Sequence, residues 1–372
     1  MPAAKTSAAE IPESGFPDID LPVKPPYPPW EAESEGKIPG GEGWLYEPKW
    51  DGFRCLAFRK GDQVLLQSKA GQPLGRYFPE LVEALQKLPS RTFVVDGEIV
   101  TPSFDDLLQR IHPAESRIQK LAKETPASLN VFDLLVDARG RSLVDLPLED
   151  RRARLETFFE KIPEGGRMLL SPASSKLKTA EDWIGGEGLD GVVAKRLDSP
   201  YLSGERGGMV KVKRMRTADC VVGGYRKAQK GDSIGSLLLG LYNDDGLLDH
   251  VGFSSSFTAD EKKELEAVLK PHRGGSGFTG KAPGGPSRWS QGRSTEWEPL
   301  DPVLVCEVRY DHFSGGRFRH GTKFLRWRPE KKPKACTFEQ VRSPHPRPLS
   351  HPHSQPPGEG RLHPPDSRKA KR

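Results

Sequence analysis

The chain has 372 residues, 35% of them hydrophobic, and a formal net charge of +6 at pH 7. This length is typical of about two domains, and no apolar run is long enough to cross a bilayer, which predicts a soluble protein without membrane partners. Residues 341–372 carry seven Arg or Lys and two acidic residues, so most of the net charge lies in the tail. The overall charge is therefore poor support for nucleic-acid binding.

The four cysteines lie far apart in the sequence, and no two of them form a C-x-x-C pair. This spacing argues against a thiolate zinc site and against a disulfide framework. Buried, inert packing is the expected role for the cysteines in apolar segments, which are Cys55, Cys220 and Cys306.

Residues 1–43 are rich in Pro, Gly and acidic side chains, and we expect an extended N-terminal arm there, packed at its end near Trp30. The next segment predicts a strand, Trp44–Tyr46, that leads to Lys49. Asp51-Gly52 favours a tight turn, and Phe53–Phe58 is the predicted returning strand. A lysine at such a strand end would point into a cleft from a rigid base.

Apolar spacing predicts the remaining elements of a first domain, residues 44–215. Helices are expected at 79–88, at 103–124 with an interruption at His112-Pro113, at 148–162 and at 180–184. Strands are expected at 64–67, 92–100, 129–136, 168–170, 191–195 and 209–213.

After Arg214–Thr217 the pattern changes to short antiparallel strands, which predicts a second domain, residues 216–338. Strands are expected at 219–225, 236–242, 247–253, 303–310 and 324–327. Thr258 and Glu261 form a capping box at the start of a helix. About five short strands and one helix are typical of an OB-type barrel, a fold that binds nucleic acid.

Residues 339–372 contain many prolines and few apolar side chains, so we expect a disordered basic tail. Its histidines are irregularly spaced among the prolines, which favours an unstructured segment over a metal site. They are His345, His351, His353 and His363.

Lys49 is the candidate nucleophile, and it must first lose its proton, which desolvation or nearby positive charge would promote. Lys211 and Lys213 alternate along one predicted strand, so their side chains face the same side. Both could contact a bound triphosphate close to Lys49. The alternative is a solvated lysine in a plain turn and an edge strand protected by lysines.

Two carboxylates, Glu98 and Asp190, stand at predicted strand boundaries. They suit Mg²⁺, which takes few carboxylates and keeps water and phosphate ligands. A capping or turn role is the alternative for each. Phe132 could stack on a purine base, although core packing is its default role.

Six segments stand in an order and at spacings that resemble one family. They are KWDGFR at 49–54, DGEIV at 96–100, VFDLL at 131–135, DGVVAK at 190–195, VKVK at 210–213 and RPEK at 328–331. Together they resemble the covalent nucleotidyltransferases, and specifically the ATP-dependent DNA ligases of the bacterial LigC and LigD ligase-domain branch. The resemblance covers about residues 20–335.

The resemblance implies an α+β fold. A nucleotidyltransferase (ATP-grasp-like adenylation) domain with antiparallel sheets would precede a small OB-fold β-barrel domain. It also implies a DNA ligase that seals 5′-phosphate/3′-hydroxyl breaks through a lysyl-AMP intermediate, with ATP and Mg²⁺ or Mn²⁺ as cofactors. Repair or end joining in the bacterial cytoplasm, at the nucleoid, is implied as well. The implied partners are double-stranded DNA with nicks or breaks and a Ku-like end-binding protein, and the enzyme would be a monomer.

The resemblance also implies a role for each matching residue. Lys49 would form the phosphoramidate bond to AMP, Glu47 would recognise the adenine edge, and Phe132 would stack on the ring. Arg54 and Glu98 would hold the ribose side. The residues implied to contact phosphate are Lys69, Lys195, Lys211 and Lys213. Glu98 and Asp190 would bind the metal. Arg328 and Lys331 would contact the leaving pyrophosphate.

Three residues depart from the family pattern. Lys69 stands where Arg is usual, Asp190 where Glu is frequent, and Glu330 where the usual Arg-x-Asp-Lys has Asp. All three keep their charge, so we expect altered rates and not loss of activity. Two alternatives stay open: an RNA-directed relative, such as a capping guanylyltransferase or RNA ligase, and a catalytically silent nucleic-acid-binding protein. An NAD-dependent ligase is not expected, because the chain shows neither a nicotinamide domain nor a cysteine-zinc module.

Overall fold

The computed structural model describes residues 15–185, 189–228, 233–284 and 296–342. Two compact units divide the chain, with the boundary between Lys213 and Arg214. The predicted disorder of the tail and its four histidines lie outside the described residues, except for positions 339–342. No helix in the described ranges is both long and apolar enough to span a membrane.

The first unit combines strands with short helices. Its strands are β1 (Glu31–Ser34), β2 (Trp44–Lys49), β3 (Phe53–Lys60), β4 (Gln63–Ser68), β5 (Thr92–Val100), β6 (Ser128–Val136), β7 (Met168–Leu170), β8 (Gly191–Arg196) and β9 (Arg206–Lys213). Its helices are α1 (Pro79–Gln86), α2 (Phe104–Gln109), α3 (Glu115–Glu124), α4 (Leu148–Phe159) and α5 (Leu177–Gly185).

These strands form two sheets within the described part of the first unit. One has the order β4-β3-β5-β6-β7, and the other has the order β1-β9-β8-β2. The pairing is antiparallel except for two parallel pairs, β1 with β9 and β6 with β7. The sheets are therefore antiparallel as predicted, apart from these two pairs.

Strand β3 shows how the first unit is layered, because alternate residues face opposite sides of a strand. Cys55 and Ala57 pack in a core with residues of α1, α2 and α4, on the helical side of the five-stranded sheet. Leu56 and Phe58 pack in a second core with Met209 of β9, which belongs to the other sheet. The two sheets thus face each other across a shared apolar layer.

The predicted turn between β2 and β3 is wrong in one respect, because the two strands do not pair. β2 pairs with β8, whereas β3 pairs with β4 and β5 in the other sheet. Asp51-Gly52 therefore carries the chain from one sheet to the other. A Cβ atom on Gly52 would lie 2.2 Å from the carbonyl oxygen of Ile99, so this crossing needs glycine.

The N-terminal arm is more closely packed than the sequence indicates. Phe16, Ile19, Leu21 and Val23 are all buried. Trp30 is also buried, and its indole N–H donates to the carbonyl of Gly207 at 2.9 Å. The described part of the arm, from residue 15 on, therefore packs into the core of the first unit and contains β1.

The second unit is rich in strands. Its strands are β10 (Arg216–Lys227), β11 (Ile234–Tyr242), β12 (Leu248–Ser255), β13 (Glu298–Pro299), β14 (Val305–Tyr310), β15 (Phe313–Ser314), β16 (Arg317–Phe318) and β17 (Lys323–Trp327), and its helix is α6 (Ala259–Leu269). The Thr258–Glu261 capping box is confirmed.

The main sheet of the second unit has the order β12-β11-β10-β14-β17 and is open along this path. Its two edge strands approach each other, because the N–H of Thr322 donates to the carbonyl of Phe253 at 2.9 Å. A bridge between Ser254 and Thr322 marks the same meeting point. The predicted α+β class is confirmed, and the strand-rich unit is consistent with an OB fold whose barrel closes only loosely.

Candidate active site

The two facing sheets of the first unit enclose a pocket of about 210 Å³. Lys49 reaches it from the end of β2, and Lys211 reaches it from β9. The other predicted site residues that line it are Glu47, Arg54, Lys69, Glu98, Phe132 and Lys195. Residues separated by up to about 160 positions in the chain thus meet in one cleft.

Lys49 forms an ion pair with Asp190, whose Oδ2 lies 2.5 Å from the lysine Nζ. The register of β2 and β8 creates this contact, because Lys49 pairs with Gly191, the residue after Asp190. Gly191 has a φ of +145°, and a Cβ there would lie 2.1 Å from the carbonyl oxygen of Val212. Glycine is required at this close approach, which places the carboxylate beside the candidate nucleophile.

Arg54 is fixed by a buried carboxylate. Its Nε and Nη2 donate to the two oxygens of Asp96, each at 2.6 Å, and the Tyr201 hydroxyl donates to Asp96 Oδ2 at 2.6 Å. Burial acts to lower the pKa of Arg54, but the charge of Asp96 outweighs it and holds the pKa above its ordinary value. The guanidinium therefore stays charged, with its Cζ 4.6 Å from the ring centre of Phe132.

A second buried charge cluster surrounds Glu47. Lys195 Nζ lies 2.7 Å from Glu47 Oε2, and Arg152 Nη1 lies 3.9 Å from Glu47 Oε1. Although these side chains lie close together, their mutual geometry does not suit hydrogen bonds. Three buried atoms therefore have no hydrogen-bond partner among the described residues: Glu47 Oε1, Lys195 Nζ and Arg152 Nη1. Buried polar atoms are normally satisfied, so these groups can accept or donate hydrogen bonds to a bound ligand.

Burial shifts the pKa values of two further side chains at the pocket, Glu98 and Lys211. Burial raises the pKa of Glu98 to about 7, against the opposing effect of the Arg54 and Lys49 charges. Burial also lowers the pKa of Lys211, and the nearby cations Lys69, Lys49 and Lys213 lower it further. The sequence predicted that nearby cations would promote loss of the proton from Lys49, and this stays a prediction.

Lys211 and Lys213 occupy different positions, although both lie on β9. Lys211 lines the pocket, whereas Lys213 is not among the lining residues. Lys213 pairs with Gly191 and stays close enough to influence the charge of Lys211. A direct contact of Lys213 with phosphate stays a prediction.

Arg328 and Lys331 lie in the second unit and are paired with its own carboxylates. Arg328 contacts Asp219 at 2.9 Å, Glu307 at 3.5 Å and Glu330 at 2.5 Å. Lys331 Nζ lies 3.5 Å from Asp219 Oδ2. The predicted pyrophosphate contacts thus have acidic partners in this state.

Several residues that line or support the pocket were not predicted from the sequence. Trp30, Glu31 and Trp50 line the pocket, and Tyr201 supports it from behind Asp96. Trp30 and Glu31 lie in a segment whose Pro and Gly content predicted an arm, so no local signal marked them. Tyr201 lies in a Gly-containing loop, and only the folded chain brings it to Asp96.

Family comparisons agree with this geometry. Residues 35–213 match the model of the ATP dependent DNA ligase domain, and residues 230–331 match the model of the ATP dependent DNA ligase C terminal region. The two matches cover parts of the first and the second unit respectively.

Individual relatives point the same way. The chain is 47% identical to DNA ligase C1 of Mycolicibacterium smegmatis over 344 residues, which covers 88% of this chain and 97% of that protein. It is 43% identical to DNA ligase C of Mycobacterium tuberculosis, covering 88% of this chain and 96% of that protein. A solved structure named Pmar-Lig_Pre shares the fold, with a TM-score of 0.52, 17% identity, and coverage of 77% of this chain and 64% of that one.

Proposed function

The chain belongs to the ATP-dependent DNA ligase family, and from this premise we propose how its own residues carry out the reaction. The enzyme uses ATP and seals nicks in DNA. The observation that carries the proposal is the convergence of Lys49, Lys211, Glu47 and Arg54 on one pocket. We further propose that residues 44–215 form the adenylation domain and residues 216–338 the OB-fold domain.

Lys49 is the proposed nucleophile. Its neutral amine attacks the α-phosphorus of ATP, an N–P bond forms, and the bond to the pyrophosphate oxygen breaks. Asp190 Oδ2, 2.5 Å from the Nζ, is placed to take up the ammonium proton. AMP then passes to the oxygen of a DNA 5′-phosphate, and the adjacent 3′-hydroxyl displaces AMP as the break is sealed.

The buried end of the pocket is the proposed adenosine site. Phe132 offers a ring for stacking, and Glu47 in the same pocket carries an oxygen without a well-placed hydrogen-bond partner among the residues that the structure describes. Arg54, held rigidly by Asp96, would orient the ribose. The proposed phosphate contacts are made by Lys69, Lys195, Lys211 and Lys213, and Arg328 and Lys331 would bind the leaving pyrophosphate.

Metal binding fits the donors of the site. No group of three or more His, Cys, Asp or Glu side chains within the described ranges is placed to bind a metal alone. A nucleotide-bound Mg²⁺ needs only one or two carboxylates beside its phosphate and water ligands. Glu98 and Asp190, which both interact with Lys49, supply such hard oxygens, and we propose that they hold Mg²⁺ or Mn²⁺. When bound, the metal would neutralise charge on the phosphates.

The cellular setting is a further proposal. The chain is 31% identical to a protein of Mycobacterium bovis named multifunctional non-homologous end joining protein LigD, of which it spans 37%. This relative supports a role in DNA repair or end joining, with a Ku-like end-binding protein as partner. We also propose that the enzyme acts as a monomer in the bacterial cytoplasm, at the nucleoid.

Substitution of the nucleophile tests the proposal. Lys49→Ala should abolish the covalent AMP adduct that forms on incubation with α-labelled ATP, because no other amine occupies the end of β2. Lys24→Ala is the control, since Lys24 pairs with Asp18 and its side chain is 50% exposed. An adduct of undiminished yield on Lys49→Ala would refute the assignment. Labelled GTP in parallel tests the capping alternative, and nicked and blunt DNA substrates identify the preferred break.

A further inference from the structure

Glu31 stands at the mouth of the pocket, on the strand that ends the N-terminal arm. β1 runs parallel to β9, with Glu31 opposite Arg206 and Ser34 opposite Lys211. Glu31 lines the pocket together with Lys69 and Lys211. The pairing of the arm with β9 therefore places a carboxylate among the cations of the phosphate end.

The Glu31 carboxylate forms ion pairs with two positive side chains. Its Oε1 lies 3.3 Å from Lys69 Nζ, and its Oε2 lies 3.7 Å from Arg206 Nε. Lys69 is the largest influence that lowers the pKa of Glu31, and Arg206 and Lys211 act in the same direction. Glu31 is thus ionised at neutral pH, paired with Lys69 and Arg206 and influenced by the nearby charge of Lys211.

These ion pairs are too exposed to be explained by stability alone. The side chains of Glu31, Lys69 and Arg206 are 31%, 59% and 69% exposed. Exposed pairs contribute little to folding, because water and salt screen them. Their larger consequence is for a ligand, because a carboxylate and a phosphate present similar oxygens to the same donors.

We propose that Glu31 determines the affinity of the pocket mouth for phosphate, by pairing with Lys69 and Arg206, beside Lys211, in the free enzyme as an internal anion. An incoming phosphate must displace this carboxylate and is repelled by its charge. The inference rests on the proposed phosphate-binding role of Lys69 and Lys211. The phosphate is either the tail of the nucleotide or the 5′-phosphate at a DNA break.

Two binding measurements on Glu31→Gln test the proposal and separate the two sources of phosphate. The first is the ATP concentration dependence of AMP-adduct formation. The second is the affinity of the AMP-loaded enzyme for nicked DNA with a 5′-phosphate, compared with a 5′-hydroxyl nick. Glu31→Gln should tighten at least one of them about two- to fivefold at low salt, and the gain should shrink as salt rises.

The matched control is Glu33→Gln, which removes the same charge from an exposed position on the same strand but outside the pocket lining. It should leave both measurements unchanged. Unaltered or weaker binding by Glu31→Gln in both arms, at unchanged thermal stability, would overturn the inference. Lys211→Ala separates this failure from failure of the proposed function. If that variant binds phosphate normally, the assignment of the cations is wrong, irrespective of Glu31.

Discussion

Arg54 of the first unit and Arg328 of the second are both predicted nucleotide contacts, and both side chains are 21% exposed. Their carboxylate partners differ. Asp96, which holds Arg54, is completely buried. The partners of Arg328 are Asp219, Glu307 and Glu330, whose side chains are 11%, 17% and 60% exposed.

The exposure of the partner decides how firmly each arginine is held. Breaking a buried ion pair leaves an uncompensated charge and costs about 3–5 kcal/mol, whereas exposed pairs contribute about 0–1 kcal/mol. The first unit therefore offers a fixed arginine, which suits a ligand that stays bound through the reaction. The second unit offers an arginine shared among three carboxylates, of which only Glu330 is exposed, and such shared pairing suits a leaving group.

The largest expected effect comes from removing the buried partner. Asp96→Ala should lower the free energy of unfolding by about 3–5 kcal/mol, because Arg54 would lose its compensating charge and Tyr201 its acceptor. Urea denaturation of the purified protein measures this change. Asp62→Ala is the control, since Asp62 is 87% exposed and pairs only at the surface with Arg91. Equal costs for the two variants would remove the contrast between buried and exposed pairs.

The shared arginine should matter for one step of the reaction. Arg328→Ala should slow AMP-adduct formation about 10- to 100-fold, the loss of one or two charge-assisted hydrogen bonds. Sealing of DNA that is already adenylated should be largely spared, because no pyrophosphate leaves in that step. Single-turnover assays of the two steps provide the measurement. Equal slowing of both steps would show that Arg328 is not a leaving-group contact.

The second unit also contains a buried titratable group, His250. Burial lowers the pKa of His250 to about 4, and the Arg317 and Arg226 charges act in the same direction. The folded state thus favours neutral His250, while the unfolded state takes up a proton below about pH 6.5. The stabilisation is complete above pH 6.5 and is lost as the pH falls towards 4.

At pH 5 this linkage should cost the second unit about 2 kcal/mol relative to pH 7.5. His250→Gln, which cannot titrate, should abolish that part of the acid sensitivity, as measured by amide-exchange protection in β11 and β12. His320→Gln, at an exposed position, serves as the control. Wild-type acid sensitivity in His250→Gln would contradict the assignment.

Local pattern predicted the elements of the fold well and their partners less well. The strand at 92–100 and the capping box at Thr258–Glu261 were predicted with their observed bounds, because each depends on nearby residues. The crossing of the chain between the two sheets at Asp51-Gly52 was not predicted. A tight hairpin and a connection between sheets use the same turn residues, so the sequence does not distinguish them.

The residues of the site were likewise predictable where they lie in local motifs and not where they depend on long-range contacts. Lys49, Glu98, Phe132 and Lys211 could be found because they lie in short motifs, and the structure places them around one pocket. Asp96 belongs to such a motif, but its role depends on Arg54, 42 positions away. Glu31 enters the site only through the parallel pairing of β1 with β9, a long-range contact without a local signal.

Substitution of Tyr201 should have the smallest effect, and it tests how rigidly the first unit holds Arg54. Its hydroxyl donates to Asp96 at 2.6 Å and accepts the backbone N–H of Trp30 at 3.1 Å, so it links the arm to the arginine. Tyr201→Phe keeps the ring but leaves both partners without this bond. The expected loss of stability is about 1–2 kcal/mol, the cost of unsatisfied buried polar groups.

Activity should distinguish a positioning role of Tyr201 from a purely structural one. If the hydroxyl positions Arg54 through Asp96, Tyr201→Phe should raise the KM for ATP in adduct formation several-fold, even well below the unfolding temperature. Tyr27→Phe is the matched control, because its ring stacks on Tyr201 with centroids 6.2 Å apart. Lower stability with an unchanged KM would mean that Asp96 alone fixes the arginine. In that case the rigidity of the first unit comes from the ion pair and not from the network behind it.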